Sequence, residues 1–440
     1  MVTIPQVCSA MQDVLTTVAN AAARTTGFVQ RASTLTGAGF VQALVFGFLA
    51  NPRATRAELA ATAAAVGCPV SAQAIDQRMT DAAADCLDQV LEAATTTMLA
   101  ADPVAIPLLQ RFTGGVWVQD TTTVGLPRIL AHFWRGGNNQ HTTTSAALKL
   151  GVRLDLTHGT LQGPFPDHAI TNDRKTAIVE QPLPPDSLRI ADLGFFRLTD
   201  LAQDGAEQRF YLCRLAILTA VFRPDGSRLD LPRWLTQQPE VVDIPVLLGQ
   251  KERLPSRLIA VRVPQEVADQ RRRRLYADAA RRGRQPSALQ LALASWTLYV
   301  TNLPPERLTV DEALVLGRAR WQMELLFKRW KSHGQIDTWR SGKPSAIRCE
   351  LYAKILAMIL SQWAILVSCW AFPDRSLSTA LKVVQQHALC LATALHTHTL
   401  LGTALMNLAR SLEVGCRISR QRAHPPTFQR LLDVSEAALA

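Results

Sequence analysis

The chain has 440 residues, of which 48% are hydrophobic, so it can bury a large core and fill about two to four domains of ordinary size. Lys and Arg total 47 against 36 for Asp and Glu, and residues 251–340 alone hold 18 basic and 9 acidic side chains. This concentrated surplus indicates a phosphate or nucleic-acid partner, although a basic protein without a polyanionic ligand has similar totals.

The cysteines and the apolar segments predict a protein of the reducing cytoplasm with no membrane contact. Eight cysteines are spread through the chain without any C-x2-C pair, which argues against a zinc site or a disulfide framework. The N-terminus lacks the basic and apolar pattern of a signal peptide. The most apolar segment, residues 351–370, is interrupted by Lys354, Ser361 and Gln362, which predicts a buried helix and not a membrane span.

Residues 1–105 are predicted to form a helical N-terminal domain. Thr55 and Glu58 have the spacing of a capping box and predict a helix over residues 55–66. A second helix is expected over residues 71–94, with Gln77 and Arg78 near its start. Two helices joined by a short glycine-containing turn fit a DNA-reading helix-turn-helix, with Gln77 and Arg78 as the candidate contacts, but any helical hairpin fits as well.

The middle of the chain predicts an α/β fold with an acid at the end of two of its strands. Residues 116–120 form a short strand ending in Asp120, and residues 188–192 form another ending in Asp192. The other predicted elements are strands over 145–156, 159–163 and 208–215, a weak helix over 171–180 and a helix around 197–202. Three strands, a helix, a strand, a helix and a strand is the order of a ribonuclease-H-like fold, in which the first and fourth strands are neighbours.

The next part of the chain is longer than such a fold requires. Predicted strands over residues 243–248, 257–263 and 296–301 make residues 216–305 a mostly β insertion. Within it, residues 264–283 read as one helix that carries the consecutive arginines Arg271, Arg272, Arg273 and Arg274. These arginines either face phosphate groups or form a solvated helix face.

Residues 318–331 carry the third candidate acid. On a helical wheel, Glu324 lies among Arg320, Lys328 and Lys331, with Gln322, Arg318 and Arg329 on the solvent side. An adjacent apolar face contains Leu316, Ala319, Met323, Leu326, Phe327 and Trp330. The face around Glu324 is either an ordinary surface with an Arg–Glu pair or an acid that holds a metal ion beside a polyanion.

The spacing Arg320-x3-Glu324-x6-Lys331 resembles the Y-x2-R-x3-E-x6-K signature of DDE transposases of the insertion-sequence-4 family, with Gly317 in place of the tyrosine. Asp120 with its following threonines resembles the family's first acidic block. The run Asp192-Leu193-Gly194-Phe195-Phe196 resembles its Asp-x-Gly-Tyr-Phe block.

This resemblance implies a catalytic site made of Asp120, Asp192 and Glu324 that holds two Mg²⁺ or Mn²⁺ ions, with Arg320, Lys328 and Lys331 beside the DNA. It also implies a bacterial, nucleoid-associated enzyme that cleaves double-stranded DNA at the terminal inverted repeats of its element and joins the 3′ ends to target DNA, as a homodimer. A nuclease of the same fold without strand transfer, and a non-catalytic DNA-binding descendant, remain alternatives.

The expected fold class is therefore α/β, a ribonuclease-H-like mixed sheet flanked by helices, interrupted by a mostly β insertion, with helical N- and C-terminal regions. The predicted segments are the helical domain over 1–105, the two parts of the core over 106–215 and 306–372, the insertion over 216–305 and the C-terminal helices over 373–440.

Overall fold

The structure is a computed structural model that describes residues 3–137, 145–421 and 423–437. The chain divides into two compact units. The first contains residues 1–110, 120–181 and 322–429, and the second contains residues 111–119, 182–321 and 430–440. The five predicted segments are a finer division than these two units and stay a prediction.

Ten strands make up the mixed sheet of the described residues. They are β1 (Val116–Leu126), β2 (Ala146–Asp155), β3 (Leu161–His168), β4 (Leu188–Ala191), β5 (Phe210–Arg214), β6 (Val221–Phe222), β7 (Arg228–Leu229), β8 (Val241–Leu248), β9 (Leu254–Arg262) and β10 (Trp296–Thr301). β1 begins in the second unit and ends in the first.

The strand order confirms the predicted ribonuclease-H-like arrangement. In the second unit, the start of β1 is followed by β4 and β5, and these three strands are parallel. In the first unit, the order continues from β1 to β2 and β3, which form an antiparallel pair. Every residue of β2 is buried, which is expected of a strand covered on both faces.

The predicted insertion extends the sheet beyond β5 with five strands and also contains three helices. β10 pairs antiparallel with β5 and with β9, and the order then runs through β8 and β6 to β7. One face of these strands buries a core that includes Trp296, Leu298 and Val300 of β10. Alternating side chains of β10 therefore point to the opposite face.

Nineteen α-helices occur in the described residues, and most of those in the first unit come from the N-terminal and C-terminal parts of the chain. The first eight are α1 (Ile4–Gln12), α2 (Ala19–Thr25), α3 (Gly37–Ala50), α4 (Arg56–Ala65), α5 (Ala72–Arg78), α6 (Asp81–Thr96), α7 (Pro107–Gln110) and α8 (Ala177–Glu180). The middle five are α9 (Leu198–Ala206), α10 (Leu231–Leu235), α11 (Gln265–Arg281), α12 (Ala288–Leu293) and α13 (Val310–Ala319). The last six are α14 (Trp321–Ser332), α15 (Pro344–Leu366), α16 (Leu377–Gln386), α17 (Ala388–Ala394), α18 (His398–Gly415) and α19 (Thr427–Ala437).

The apolar helix α15 is the centre of the first unit. It packs against α3 and α6 from the N-terminal region and against α16 from the C-terminal region. By length and composition alone α15 could cross a membrane, but its most apolar stretch is entirely buried inside the protein. The core helix of a globular protein is also long, apolar and buried, so the length and composition of α15 are weak support for a membrane span.

The capping box predicted at the start of α4 is present. The Thr55 hydroxyl accepts a hydrogen bond from the Glu58 amide at 3.2 Å, and the Glu58 carboxylate accepts one from the Thr55 amide at 2.6 Å. The helix predicted over residues 71–94 is wrong as a single element. It breaks into α5 and α6 because the Thr80 side chain accepts from the Ala83 amide and so starts a new helix.

Three other predicted boundaries are also wrong. β1 continues to Leu126 and does not end at residue 120, since Thr and Val suit an extended chain as well as the apolar residues before them. The third strand covers Leu161–His168 and not residues 159–163. Of the helix predicted over 171–180, only a 3₁₀ turn at Asp173–Lys175 and the single turn α8 are formed.

Candidate active site

The parallel pairing of β1 and β4 fixes the residues that lead into the two aspartates. Gln119 of β1 and Ala191 of β4 are Cα partners at the end of this pairing, within the second unit. Asp120 is the next residue after Gln119, and Asp192 is the next residue after Ala191. Each acid therefore directly follows one member of a Cα pair that lies in the second unit.

Asp192 lies where β4 gives way to a 3₁₀ turn at Leu193–Phe195. Its side chain is 46% exposed, and its Oδ1 is 3.9 Å from Nε of Arg320. Arg320, the arginine of the signature, therefore lies next to Asp192, and both residues belong to the second unit. Asp192 is accessible enough to meet an added ligand.

Asp120 lies inside β1 and not at its end. It is partly buried, and its Oδ1 accepts a hydrogen bond from the Thr121 amide at 2.8 Å. The Thr121 hydroxyl in turn donates to the Asp173 carboxylate at 3.0 Å, and that carboxylate pairs with Lys149 at 2.8 Å. These contacts hold the strand around Asp120 in a defined conformation.

Glu324 lies in the first turn of α14, where it is partly buried. The prediction of one helix over 318–331 is wrong, because α13 ends at Ala319 and α14 begins at Trp321. Arg320 between them keeps right-handed helical backbone angles, so the break is confined to one residue.

The predicted apolar face of this region is confirmed, but its predicted solvent side is only partly correct. Every member of the apolar face is at most 7% exposed. Gln322 and Arg329, expected in solvent, are 6% and 8% exposed, while Arg318 is exposed as predicted. Burial lowers the pKa of Arg329 to about 10. The helical-wheel prediction places the buried residues on one face, whereas the rest of the protein covers more than one face of α14.

Lys331 contacts the strand that carries the first acid. Its Nζ donates to the Thr123 carbonyl of β1 at 3.0 Å, within the first unit. Lys328 is exposed, one turn before Lys331. The two lysines therefore differ, since one is attached to the sheet and the other is open to solvent.

Gly317, which stands at the tyrosine position of the signature, lies directly against Tyr299 of β10. A Cβ atom at Gly317 would come within 2.3 Å of the Cζ and hydroxyl oxygen of Tyr299. Tyr299 is 4% exposed, so its ring has little room to move away. This position is glycine because a phenol from another element already fills the space.

The four consecutive arginines of α11 have different environments. Arg271 donates to the Trp296 carbonyl at 2.8 Å, and Arg272 donates to Asp269 at 2.8 Å and to the Ser295 hydroxyl at 2.6 Å. Arg273 and Arg274 are exposed. Half of the run thus helps to attach α11 to β10, and half faces solvent.

The two candidate contacts of the N-terminal helical pair also differ. Gln77 is exposed near the end of α5. Arg78 donates to the Phe28 carbonyl at 3.0 Å and lies over the Phe28 ring at 4.4 Å from its centroid. Arg78 therefore has a structural contact that the sequence did not indicate.

Lys354 is a buried functional-group residue that the sequence marks only as a polar interruption of an apolar segment. It lies in α15, is 2% exposed, and donates to the carbonyls of Gln335 and Thr338 at 3.3 and 2.6 Å. Those carbonyls belong to the loop that follows α14. A lysine in an otherwise apolar helix was the available signal, but its partners depend on tertiary structure.

The three proposed ligands are carboxylates, and hard divalent cations such as Mg²⁺ prefer oxygen donors. Within the described ranges, no group of three or more His, Cys, Asp or Glu side chains is close enough to hold a metal ion. The chemistry of the donors thus fits such an ion, while a preassembled ligand cluster is absent from the part of the chain that the structure describes.

Comparison with known proteins decides the family. The sequence-family model described as the transposase DDE domain matches residues 115–360. This match covers more than half of the chain and includes all three acids. The chain belongs to the DDE transposases. Such enzymes use divalent metal ions, so the expected oxygen-ligand chemistry agrees with the family.

Curated relatives are transposases of insertion sequences of the insertion-sequence-4 type. The transposase of IS231F from Bacillus thuringiensis subsp. israelensis is 28% identical over 55% of this chain and 55% of its own length. That of IS231C from B. thuringiensis subsp. berliner is 25% identical over 68% and 66%. The putative transposase InsL of IS186A from Escherichia coli strain K12 is 31% identical over 48% and 60%. The chain thus spans about half to two-thirds of the length of these relatives.

Proposed function

We propose that this DDE transposase binds the double-stranded ends of its own mobile element, cleaves them by metal-dependent phosphoryl transfer and joins the 3′ ends to target DNA. The observation that carries the proposal is the register of β1 and β4, since Gln119 and Ala191 are partners immediately before the two aspartates. The family match over residues 115–360 supports the same reading.

In this proposal Asp120, Asp192 and Glu324 hold the divalent ions. Two such ions, Mg²⁺ or Mn²⁺, would supply stabilisation of the attacking and leaving oxygens of an in-line displacement. The contact of Lys331 with Thr123 supports the pairing of Asp120 with Glu324, because it joins the helix that carries Glu324 to the strand that carries Asp120.

The cations of the signature have separate roles. Arg320 lies beside Asp192, where it offsets the carboxylate charge and can orient a phosphate next to the scissile bond. Lys331 and the exposed Lys328 add charge along α14. Arg273 and Arg274, the exposed half of the arginine run, extend a cationic surface along α11 for the DNA backbone.

Recognition of the element ends is assigned to the helices α4 and α5, with Gln77 as the exposed contact. Gln77→Ala should reduce the preference for a terminal-repeat duplex over an unrelated duplex, since a glutamine amide can read base edges. Competition gel shifts measure that preference, and an unchanged ratio would exclude Gln77. A homodimer on the DNA remains part of the prediction.

The catalytic assignment is tested by separating chemistry from binding. Asp120→Asn, Asp192→Asn and Glu324→Gln each keep the side-chain size but remove the charge that a divalent ion needs. Each should abolish cleavage of a labelled element end in Mg²⁺ while gel-shift affinity stays within a few-fold of the wild type. If a variant still cleaves the labelled DNA end, the substituted residue is not one of the catalytic carboxylates.

Lys331→Ala provides the contrasting variant. It removes a cation and leaves all three carboxylates, so affinity should fall and the slope of log affinity against log salt should decrease by about one unit. Cleavage should persist at low salt. An added unlabelled target duplex distinguishes transposition from simple nuclease activity, because only strand transfer yields joined products.

A further inference from the structure

Three arginines from three elements surround Tyr299 on one face of the second unit's sheet. Tyr299 of β10 is the Cα partner of Arg214, the last residue of β5. Gly317 of α13 lies against the Tyr299 ring, and Arg318 is the next residue along that helix. Two of the arginines are therefore brought to Tyr299 by strand pairing and by helix packing.

Arg271 reaches the same place from α11. Its guanidinium donates to the Trp296 carbonyl at 2.8 Å and to the Thr297 hydroxyl at 3.0 Å. Thr297 and Tyr299 are two residues apart in β10, so their side chains share one face. Trp296 belongs to the apolar core on the other face. The guanidinium of Arg271 thus lies on the face that carries Tyr299.

Arg214, Arg271 and Arg318, which we call the arginine triad, have no carboxylate partner in the ion pairs and hydrogen bonds of the described residues. Arg214 and Arg318 are exposed, and Arg271 is partly buried. The pKa of Arg271 is lowered, mainly by burial and then by the charges of Arg214 and Arg318. Arg214 and Arg318 therefore each repel Arg271, and no carboxylate of the described residues is paired with any of the three.

A folded protein keeps such an arrangement at a cost unless an external anion offsets the charge. Guanidinium groups match phosphate oxygens in planar, two-pronged hydrogen bonds, whereas lysine acts as a point charge. Arg271 is already oriented by β10, and the other two are free to turn toward a ligand.

We propose that the arginine triad binds a phosphodiester group of DNA, at a position set by Tyr299 of β10. This inference rests on the proposed function, since it requires DNA as the partner, and it adds Arg214 and Arg318 to the residues that hold it. The duplex that supplies the phosphate is either an element end or the target DNA.

The test measures binding by fluorescence anisotropy over a salt series, using full-length protein and two labelled duplexes of equal length. One duplex carries the terminal repeat and the other an unrelated sequence. The variants are Arg214→Ala, Arg318→Ala and the double variant. The matched control is Arg228→Ala, an exposed arginine on β7, the last strand of the sheet order. Arg271 is left in place because its hydrogen bonds anchor α11.

Each triad variant should decrease the slope of log affinity against log salt by about one unit, and the double variant by about two, while Arg228→Ala leaves it unchanged. A decrease on the repeat duplex alone assigns the site to the element end, and a decrease on both assigns it to a phosphate common to any duplex. Slopes equal to that of Arg228→Ala on both duplexes overturn the proposal. Circular dichroism melting of every variant excludes unfolding as the cause.

Cleavage assays on the same samples distinguish a failure of the arginine-triad proposal from a failure of the proposed transposase function. If the wild type does not cleave the repeat duplex in Mg²⁺, the proposed function fails whatever the triad binds. If the wild type cleaves and the triad variants keep the full salt slope, only the triad proposal fails.

Discussion

Gly317 shows how a departure from a sequence signature can be explained by one contact. The nearest atoms to a Cβ at this position belong to the Tyr299 ring, which is buried and cannot rotate freely. The sequence shows that the signature tyrosine is missing, but not that a phenol from β10 occupies its space. That contact depends on β10 and α13 meeting, which no local pattern encodes.

Gly317→Ala should therefore destabilise the protein by about 1–3 kcal/mol through overpacking, despite the better helix propensity of alanine. Urea unfolding monitored by circular dichroism measures the change. Gly205→Ala in α9 is the control, since its nearest neighbour would be at an ordinary 3.8 Å from Asn302. If the two substitutions have the same effect, the Tyr299 contact does not determine the residue at 317.

Lys354 makes a pH dependence predictable. Burial lowers its pKa to about 8, below the ordinary value of 10.5, so the folded state binds fewer protons than the unfolded state between these pH values. The cost of burying the ammonium is constant below pH 8 and is relieved as pH rises from about 8 toward 10.5. Between pH 8 and 9.5 this residue should add about 1.5 kcal/mol to the free energy of unfolding.

The measurement compares wild type with Lys354→Met at several pH values, because the difference cancels other titrating groups. The wild type should gain stability relative to the variant above pH 8. A difference that is flat over this interval, or that falls, would contradict a lowered pKa in the folded protein.

At the scale of elements, most of the strands and the neighbouring positions of the first and fourth were predictable, and the positions of breaks were not. β10 matches its predicted range because Trp296–Thr301 combines β-branched and aromatic residues between polar neighbours. The break at Arg320 has no glycine or proline to mark it, and Thr80 resembles any other threonine in a helical pattern. Such breaks are decided by capping and packing, which sequence periodicity does not resolve.

The contact between α6 and α15 gives a prediction at this scale. Arg348 of α15 has a 5% exposed side chain that pairs with Asp81 at 3.3 Å and Asp85 at 2.5 Å, and it lies 4.2 Å from the centroid of Phe133. Arg348→Ala should cost about 2–3 kcal/mol, since a buried cation, its packing and both ion pairs are lost.

Lys343→Ala is the matched control for that substitution. Its side chain is 69% exposed and pairs with Asp76 at 3.3 Å, so its loss should cost less than about 1 kcal/mol. Guanidinium unfolding of both variants gives the comparison. Equal losses would mean that burial adds nothing to the Arg348 contacts.

At the scale of the whole molecule, the family was predictable because three short blocks occur in the expected order, and chemistry constrains their residue types. The contribution of the N-terminal helices to the core was not predictable. The sequence predicts helices in residues 1–105, and two of them, α3 and α6, pack against α15 in the structure. Amphipathic helices show that a face is buried, but not which distant helix covers it.

This packing leads to a prediction about cutting the chain. A fragment of residues 106–440 lacks α3 and α6, so it should expose apolar surface of α15 and be insoluble or melt without a cooperative transition. Co-expression with a fragment of residues 1–105 should restore soluble protein, because the missing contacts are non-covalent. The measurement is the soluble yield and melting curve of the two fragments alone and together. A 106–440 fragment that melts cooperatively at the temperature of the full chain would show that the N-terminal helices contribute little to the core. In that case they would be a detachable DNA-reading module, and the deletion itself could be used to test recognition of the element ends.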